Sequence, residues 1–185
     1  MFKDKRALFL DKDGTLIENV PFNVAPDRIR LAPGAAEGLP RLHAAGYKII
    51  VISNQPGVAL GYFPEVELLQ VKKRIRELLG QLGVPLTDFF YCPHVVQCGC
   101  RKPSPGLLFS AAFEHGINLG RSWFVGDILN DVEAGRRAGC GTVLLDNGNE
   151  TEWEVSPLRR PDFTVPNLAA AAEVILNRSA EVTVS

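Results

Sequence analysis

LFLDKDGTLIEN, residues 8–19, is the stretch on which the fold turns. A short apolar run ends on Asp11, and Asp13, Gly14 and Thr15 follow at once. Residues i and i+2 of an extended chain point to the same side. Asp11 and Asp13 therefore bring two charges to one side of a strand end, where they repel unless a cation or a proton lies between them. Asp and Gly are also ordinary turn residues, and an Asp-rich loop can hold Ca²⁺. The stretch alone leaves a turn, a calcium loop and a catalytic Mg²⁺ site open.

The rest of the chain extends the pattern of its first strand. YKIIVIS (47–53) is a continuous β-branched run, as expected of a strand covered on both faces. DFFYC (88–92), SWFVGD (122–127), GTVLLD (141–146) and DFTV (162–165) read as further strands. Helical spacing fills the gaps: Pro33 to Ala45, Pro64 to Leu82 through Leu68, Val71, Ile75 and Leu78, then Ser104 to His115, Asn130 to Gly139 and Pro166 to Asn177. Strands alternating with helices predict an α/β fold, a three-layer Rossmann-like parallel sheet with helices on both faces. Right-handed crossovers put the strand C-terminal ends, and hence Asp11, Ser53 and Asp127, along one ligand-binding edge. With 185 residues and no linker, repeat or low-complexity segment, one domain over 1–178 is expected, followed by a frayed tail at 179–185.

Charge and composition narrow the class. A net charge of −1 gives no global basic field for nucleic acid. No apolar run approaches the ~20 residues of a membrane span, and the N-terminal apolar run is too short for a signal peptide. A cytoplasmic protein is expected.

At the same sheet edge the sequence supplies the parts of a phosphate site. Mg²⁺ takes hard oxygen ligands, few of them from protein when a phosphate is present. Asp127 offers a third carboxylate, and Asp131 stands four residues on. Ser53 and Asn54 follow the second strand with a hydroxyl, an amide and backbone N–H groups. Arg101 and Lys102 bring positive charge to the start of a helix, as a developing phosphoryl charge requires. A plain surface pair between Lys102 and Asp131 is the bland alternative.

Residues 91–103, YCPHVVQCGCRKP, hold a second constellation. Cys92, His94, Cys98 and Cys100 are three thiols and an imidazole within nine positions, a standard tetrahedral set for structural Zn²⁺. Unligated cysteines or a disulfide are the alternatives. Four protein ligands would leave no open position, so the expected zinc pins a loop. Because Cys100 precedes Arg101 and Lys102, that loop would fix where the two cations point. Cys140 lies apart and reads as a buried thiol.

DKDGT, then SN, then RK, then GDxxxD, in this order, resembles the haloacid dehalogenase superfamily, mostly Mg²⁺-dependent phosphatases. DKDGTLIEN, SNQPGVALGYF, CPH…CxCRKPSPG and GDILNDVEAGRRAG together resemble the heptose-1,7-bisphosphate 7-phosphatase family, close to the histidinol-phosphate phosphatases. The resemblance implies that Asp11 is the nucleophile and Asp13 the general acid and base. Mg²⁺ would be held by Asp11, the Asp13 carbonyl and Asp127. Ser53 and Lys102 would hold the phosphoryl oxygens, with Asp131 positioning Lys102 or a metal-bound water. It further implies Zn²⁺ on the cysteine loop, substrate contacts from Asn19, Asn54, Gln55 and Arg101, and no large cap domain, residues 17–32 and 54–63 closing over a sugar phosphate. A monomer is expected, with neither nucleic acid nor membrane as partner. A histidinol-phosphate phosphatase keeps every one of these roles. A zinc-stabilised binding module without turnover is the reading from another class.

Overall fold

The computed structural model describes residues 5–184. Its strands are β1 (Arg6–Leu10), β2 (Tyr47–Asn54), β3 (Leu86–Cys92), β4 (Trp123–Gly126), β5 (Gly141–Leu145) and β6 (Phe163–Val165). Its α-helices are α1 (Ala35–Ala44), α2 (Glu67–Gln81), α3 (Gly106–His115), α4 (Leu129–Ala138) and α5 (Leu168–Val184). The strands form one sheet in the order β3-β2-β1-β4-β5-β6, with every neighbouring pair parallel.

β1 is central, and its apolar run explains why. Leu8 and Leu10 point into one layer with Ile49, Val51, Val125 and Val143, covered by Leu39 and Leu42 of α1, Val71 and Ile75 of α2, and Leu168 and Ile175 of α5. Ala7 and Phe9 point the other way, with Ile50, Ile52 and Phe124 against Leu107, Leu108 and Ala111 of α3 and Ala134 and Ala138 of α4. Both faces are thus covered, as the unbroken run 7–10 requires. Each fully buried Leu or Phe here contributes roughly 1.5–3 kcal/mol relative to exposure.

The strand order fixes where a ligand binds. From β1 the chain runs outward to β2 and β3, then returns to the other side of β1 as β4. The crevice outside the C-terminal ends of β1 and β4 is the topological switch point of the sheet. Asp11 leaves β1 there, its N–H donating to the Val125 carbonyl at 3.0 Å. Asp127 leaves β4 beside it.

Most element boundaries fall within three residues of expectation, and three of the differences are instructive. β3 begins at Leu86, two residues early, and its pairing with β2 shifts register between Ile49 and Ile50. α3 begins at Gly106, since the Ser104 N–H closes a turn on the Arg101 carbonyl first. The final helix, expected to stop at Asn177, continues to Val184. No Pro or Gly stops it, and Ser179 Oγ lies 2.7 Å from the Tyr47 hydroxyl, which docks the extension on β2. The segment from 179 is therefore helical as far as it is described, not a frayed tail. Among the described residues no helix is long and apolar enough to cross a membrane.

Candidate active site

Lys102 is the hub of the switch-point crevice. Its ammonium is buried, contacts Asp11 Oδ1, lies 2.7 Å from Asp131 Oδ1 and donates to the Ile52 carbonyl at 3.0 Å. Burial works against its charge, but Asp11 and Asp131 outweigh that and hold its pKa above the ordinary lysine value. The backbone of Lys102 is gripped in turn. Its N–H donates to Asn54 Oδ1 at 3.0 Å and its carbonyl accepts from Asn54 Nδ2 at 3.2 Å. Asn54, expected to touch substrate, lines the crevice and also uses its amide to align the lysine backbone.

Asp11, Asp127 and Asp131 bring carboxylate oxygens within 4.8 Å of one another, all three side chains buried. One ammonium cannot balance three carboxylates. Burial, then Asp11, then Asp131 push Asp127 up to about 8. Burial and Asp11 raise Asp131 to about 6 against the pull of Lys102. The donor set is hard oxygen with surplus negative charge, which fits Mg²⁺. Gly14 makes the approach possible. Its φ is 80°, and a Cβ there would lie 2.1 Å from Asp127 Oδ2. Gly126 does the same for Asp131, whose Cβ would be 2.2 Å from a side chain at that position. The GD and DG pairs of the sequence therefore have a steric reason.

Asp13 faces the same crevice. Its Oδ1 takes the Lys12 ammonium at 2.6 Å and its Oδ2 accepts from Gln55 Nε2 at 3.3 Å. Burial raises its pKa, with the Asp11 charge adding to the shift and Lys12 opposing it. That direction suits a carboxyl that must carry a proton to a leaving group. Ser53 is buried at the end of β2, and its Oγ accepts from Gln55 Nε2 at 2.7 Å, which leaves its hydrogen to donate.

A cavity of about 230 Å³ opens on these groups, lined by Asp11, Asp13, Asn19, Asn54, Lys102 and Asp127, with Ile128 and Asn149 at its side. Gln55 lines the space next to it. Arg101 lines neither. Its Nη1 donates to the His94 carbonyl at 2.9 Å, so the guanidinium braces the cysteine loop instead.

Three residues of the site have no role assigned from the sequence. Lys12, only 1% exposed, is folded back onto Asp13. Thr15 Oγ1 donates to Asp127 Oδ1 at 3.2 Å. Asn149 Nδ2 donates to Asp127 Oδ2 at 2.8 Å, while Asn149 Oδ1 accepts from Asn19 at 3.2 Å. The loop DNGNE (146–150) that delivers Asn149 is fixed by Asn147 Nδ2 on the Gly14 carbonyl at 2.7 Å and by Glu150, which accepts the Leu129 N–H at 2.6 Å at the start of α4.

The cysteine loop closes on itself. His94 Nδ1 lies 3.4–3.5 Å from the sulfurs of Cys92, Cys98 and Cys100, and the sulfurs are 3.0–3.5 Å apart. Zn–S near 2.3 Å and Zn–N near 2.0 Å in a tetrahedron imply edges of about 3.5–3.8 Å, so the donor set fits Zn²⁺ with a slight expansion. All four cysteines are free thiols. Burial and the neighbouring Cys92 and Cys98 push the Cys100 thiol up to about 12, whereas hydrogen bonds from Cys100 outweigh burial and bring Cys98 down to about 6. Cys140 is buried apart from the loop, where burial raises it to about 12.

With the geometry in place, similarity to known proteins can be read against it. The family model described as HAD-hyrolase-like matches residues 99–171. The D-glycero-beta-D-manno-heptose-1,7-bisphosphate 7-phosphatase of Pseudomonas aeruginosa is 34% identical over 172 residues, covering 91% of this chain and 97% of that protein. The D-glycero-alpha-D-manno-heptose-1,7-bisphosphate 7-phosphatase of Photorhabdus laumondii is 34% identical, covering 88% and 96%. A crystal structure of the D,D-heptose 1,7-bisphosphate phosphatase from B. bronchiseptica, complexed with magnesium and phosphate, superposes with a TM-score of 0.82 at 30% identity, covering 94% of this chain and 99% of that one. These relatives are 30–34% identical and cover 88–94% of this chain, and on that evidence the chain belongs to the D-glycero-D-manno-heptose-1,7-bisphosphate 7-phosphatase family of haloacid dehalogenase-like hydrolases.

Proposed function

We propose that this protein is a Mg²⁺-dependent phosphatase that removes the 7-phosphate of D-glycero-D-manno-heptose 1,7-bisphosphate. The observation that carries the reading is the buried Lys102 ammonium held between Asp11 and Asp131, with Asp127 across the crevice and Asp13 at its mouth. Asp11 supplies an oxygen that attacks phosphorus. The new Asp11 O–P bond forms as the bond from phosphorus to the sugar oxygen breaks. Asp13, its pKa raised, gives its proton to that sugar oxygen. In the second half Asp13 takes a proton from water, the water oxygen bonds phosphorus, and the Asp11 O–P bond breaks. Lys102 and the Ser53 hydroxyl receive the phosphoryl oxygens, and the protein supplies mostly position and charge. Asp11, the Asp13 carbonyl and Asp127 would hold Mg²⁺, which supplies Lewis-acid stabilisation of the phosphoryl charge.

Cys92, His94, Cys98 and Cys100 would hold a structural Zn²⁺. The enzyme works as a monomer in the cytoplasm, where four reduced thiols persist.

Phosphate release with Mg²⁺ tests the reading on heptose 1,7-bisphosphate in both anomers, fructose 1,6-bisphosphate and histidinol phosphate. A kcat/KM at least ~100-fold higher for one heptose anomer, equivalent to about 2.7 kcal/mol, is the expected result. A preference for histidinol phosphate would move the substrate and keep the chemistry. Undiminished activity in Asp11→Asn would remove the nucleophile assignment.

A further inference from the structure

The N-terminal ends of the strands form the rim opposite the catalytic crevice, and that rim is cationic. Arg6 opens β1, Tyr47 opens β2, Trp123 opens β4 and Gly141 opens β5. With Arg121 and Arg178 they line a cavity of about 220 Å³. A second cavity, of about 230 Å³, shares Tyr47 with it and adds Lys5, His43 and Lys48. Among the described residues lining the two cavities, none is Asp or Glu. The other end of the same sheet gathers Asp11, Asp127 and Asp131. A chain of net charge −1 thus separates its charge along the strands, with surplus acid at the catalytic end and base at the other.

The groups of the first cavity are held in place by the fold. The Arg6 guanidinium lies over the Tyr47 ring, 4.4 Å from its centroid, and donates to the Ala45 carbonyl. The Tyr47 hydroxyl lies 2.7 Å from Ser179 Oγ, which ties α5, and with it the neighbouring Arg178, to the start of β2. Trp123 is fixed from two sides. A Cβ at position 141 would lie 2.6 Å from the indole, so the glycine makes room for the ring, and Phe163 flanks it with ring centroids 5.9 Å apart. A guanidinium presents its N–H groups in a planar fork that matches phosphate. Three of them around one cavity suit a doubly charged group better than a single carboxylate. The volume is below the ~300–1,000 Å³ of pockets that take drug-sized ligands, so a phosphoryl group with at most a short skeleton fits.

We propose that this rim is a second, non-catalytic anion site that takes a phosphoryl dianion, as inorganic phosphate or as a small phosphate monoester. Arg6, Arg121 and Arg178 meet the phosphoryl oxygens, and Trp123 forms the apolar side. Five residues of strand separate Arg6 from Asp11, roughly 16 Å at ~3.3 Å per residue, so an anion held here touches no catalytic group. The site stands whether or not the chain is a phosphatase, because binding here breaks no bond.

The test is binding without turnover. Trp153→Phe leaves Trp123 as the only tryptophan. Its emission is followed as inorganic phosphate, and separately glycerol 1-phosphate, is added without Mg²⁺ at constant ionic strength. Without Mg²⁺ the surplus carboxylates of the catalytic crevice repel phosphate. The expected result is a saturable change with a Kd of about 1 mM or below, weakened about tenfold or more in Arg121→Gln/Arg178→Gln. Both arginines are exposed, so the double replacement leaves the core untouched. Lys73→Gln/Arg76→Gln removes the same charge from the exposed face of α2 and should bind as wild type. Tighter binding of phosphate than of the ester assigns the site to the free ion, and the reverse assigns it to a monoester; either supports the site. No saturable change up to about 10 mM, or undiminished binding in Arg121→Gln/Arg178→Gln, overturns it. Equal weakening in both double variants also overturns it, reducing the effect to overall charge.

Discussion

The Lys102 ammonium lies 2.7 Å from Asp131 Oδ1 while also contacting Asp11, with Lys102 3% and Asp131 1% exposed. A buried charge with two partners is oriented as well as neutralised. Asp131→Asn keeps the size of the side chain and removes half of the counter-charge. The ammonium then leans toward Asp11 and away from the phosphoryl position. The expected outcome is a kcat lower by roughly 10²-fold, with a much smaller change in KM. Steady-state kinetics check it, and a kcat within about twofold of wild type would show that Asp131 does not aim the lysine.

Removing the ammonium itself is a stability experiment. Lys102→Met leaves Asp11, Asp127 and Asp131 facing one another without a cation. Breaking a buried charge network by removing one partner costs roughly 3–5 kcal/mol. Urea unfolding in the absence of added metal should show that loss at pH 8. The loss should shrink as acid protonates the cluster. A pH-independent difference would mean that packing of the lysine stem, not its charge, holds the crevice.

The pH dependence of metal binding follows from Asp127. Its folded-state value is about 8 against an ordinary 3.8. The metal-free fold therefore binds a proton more tightly than the unfolded chain does. Its contribution to stability is present at low pH and is lost as pH rises through the folded value. Mg²⁺ competes for the same carboxylate, so its apparent affinity falls below pH 8 and its binding releases a proton. Calorimetry at pH 7 in two buffers of different ionisation enthalpy should report release of roughly one proton per Mg²⁺. Equal heats in the two buffers would contradict this.

The zinc loop should act through Arg101 and Lys102. Cys100 is covalently next to Arg101, whose guanidinium braces the His94 carbonyl at 2.9 Å. Cys100→Ser removes a thiolate and loosens both the loop and the backbone that Asn54 grips. The expected outcome is less zinc per chain by elemental analysis and a kcat/KM lower by about 10- to 100-fold, as a displacement near 1 Å produces. A zinc-depleted sample with wild-type kinetics would separate the loop from catalysis.

Asp11, Ser53 and Asp127 are legible in the sequence because each follows an apolar run, and Asp13, Lys102 and Asp131 because each stands beside a Gly, Pro or Asn. The sheet edge then does the assembling. The cysteine loop is legible because its four soft ligands are local. What is not local is not legible. Nothing in DNGNE distinguishes a turn from a loop that folds back 22 residues to reach Asp127. Lys12 follows Asp11 in an extended stretch and would be assigned to the opposite side, yet it curls onto Asp13. Lys72 and His115, far apart in sequence, converge on Asp88 of β3 at 2.7 Å and 3.0 Å. The direction of Arg101 depends on the loop that zinc would close, and side-chain type alone cannot give it.

Asn149 is where that illegible contact becomes measurable. Its amide holds Asp127 Oδ2 at 2.8 Å and accepts from Asn19 at 3.2 Å, so one side chain joins the metal carboxylate to a residue lining the cavity. Asn149→Ala frees Asp127 to rotate, with Thr15 its remaining hydroxyl donor. Outer partners of metal ligands typically contribute 10–100-fold in metal affinity or activity. The expected outcome is a half-saturating Mg²⁺ concentration raised by about tenfold, with most of kcat restored at saturating Mg²⁺. Asn19→Ala breaks the other end of the chain and leaves the Asp127 hydrogen bond intact. It should therefore raise KM for the sugar phosphate more than it raises the Mg²⁺ requirement. If both variants shift Mg²⁺ and substrate equally, Asn149 is a loop anchor and Asp127 is oriented by Thr15 alone.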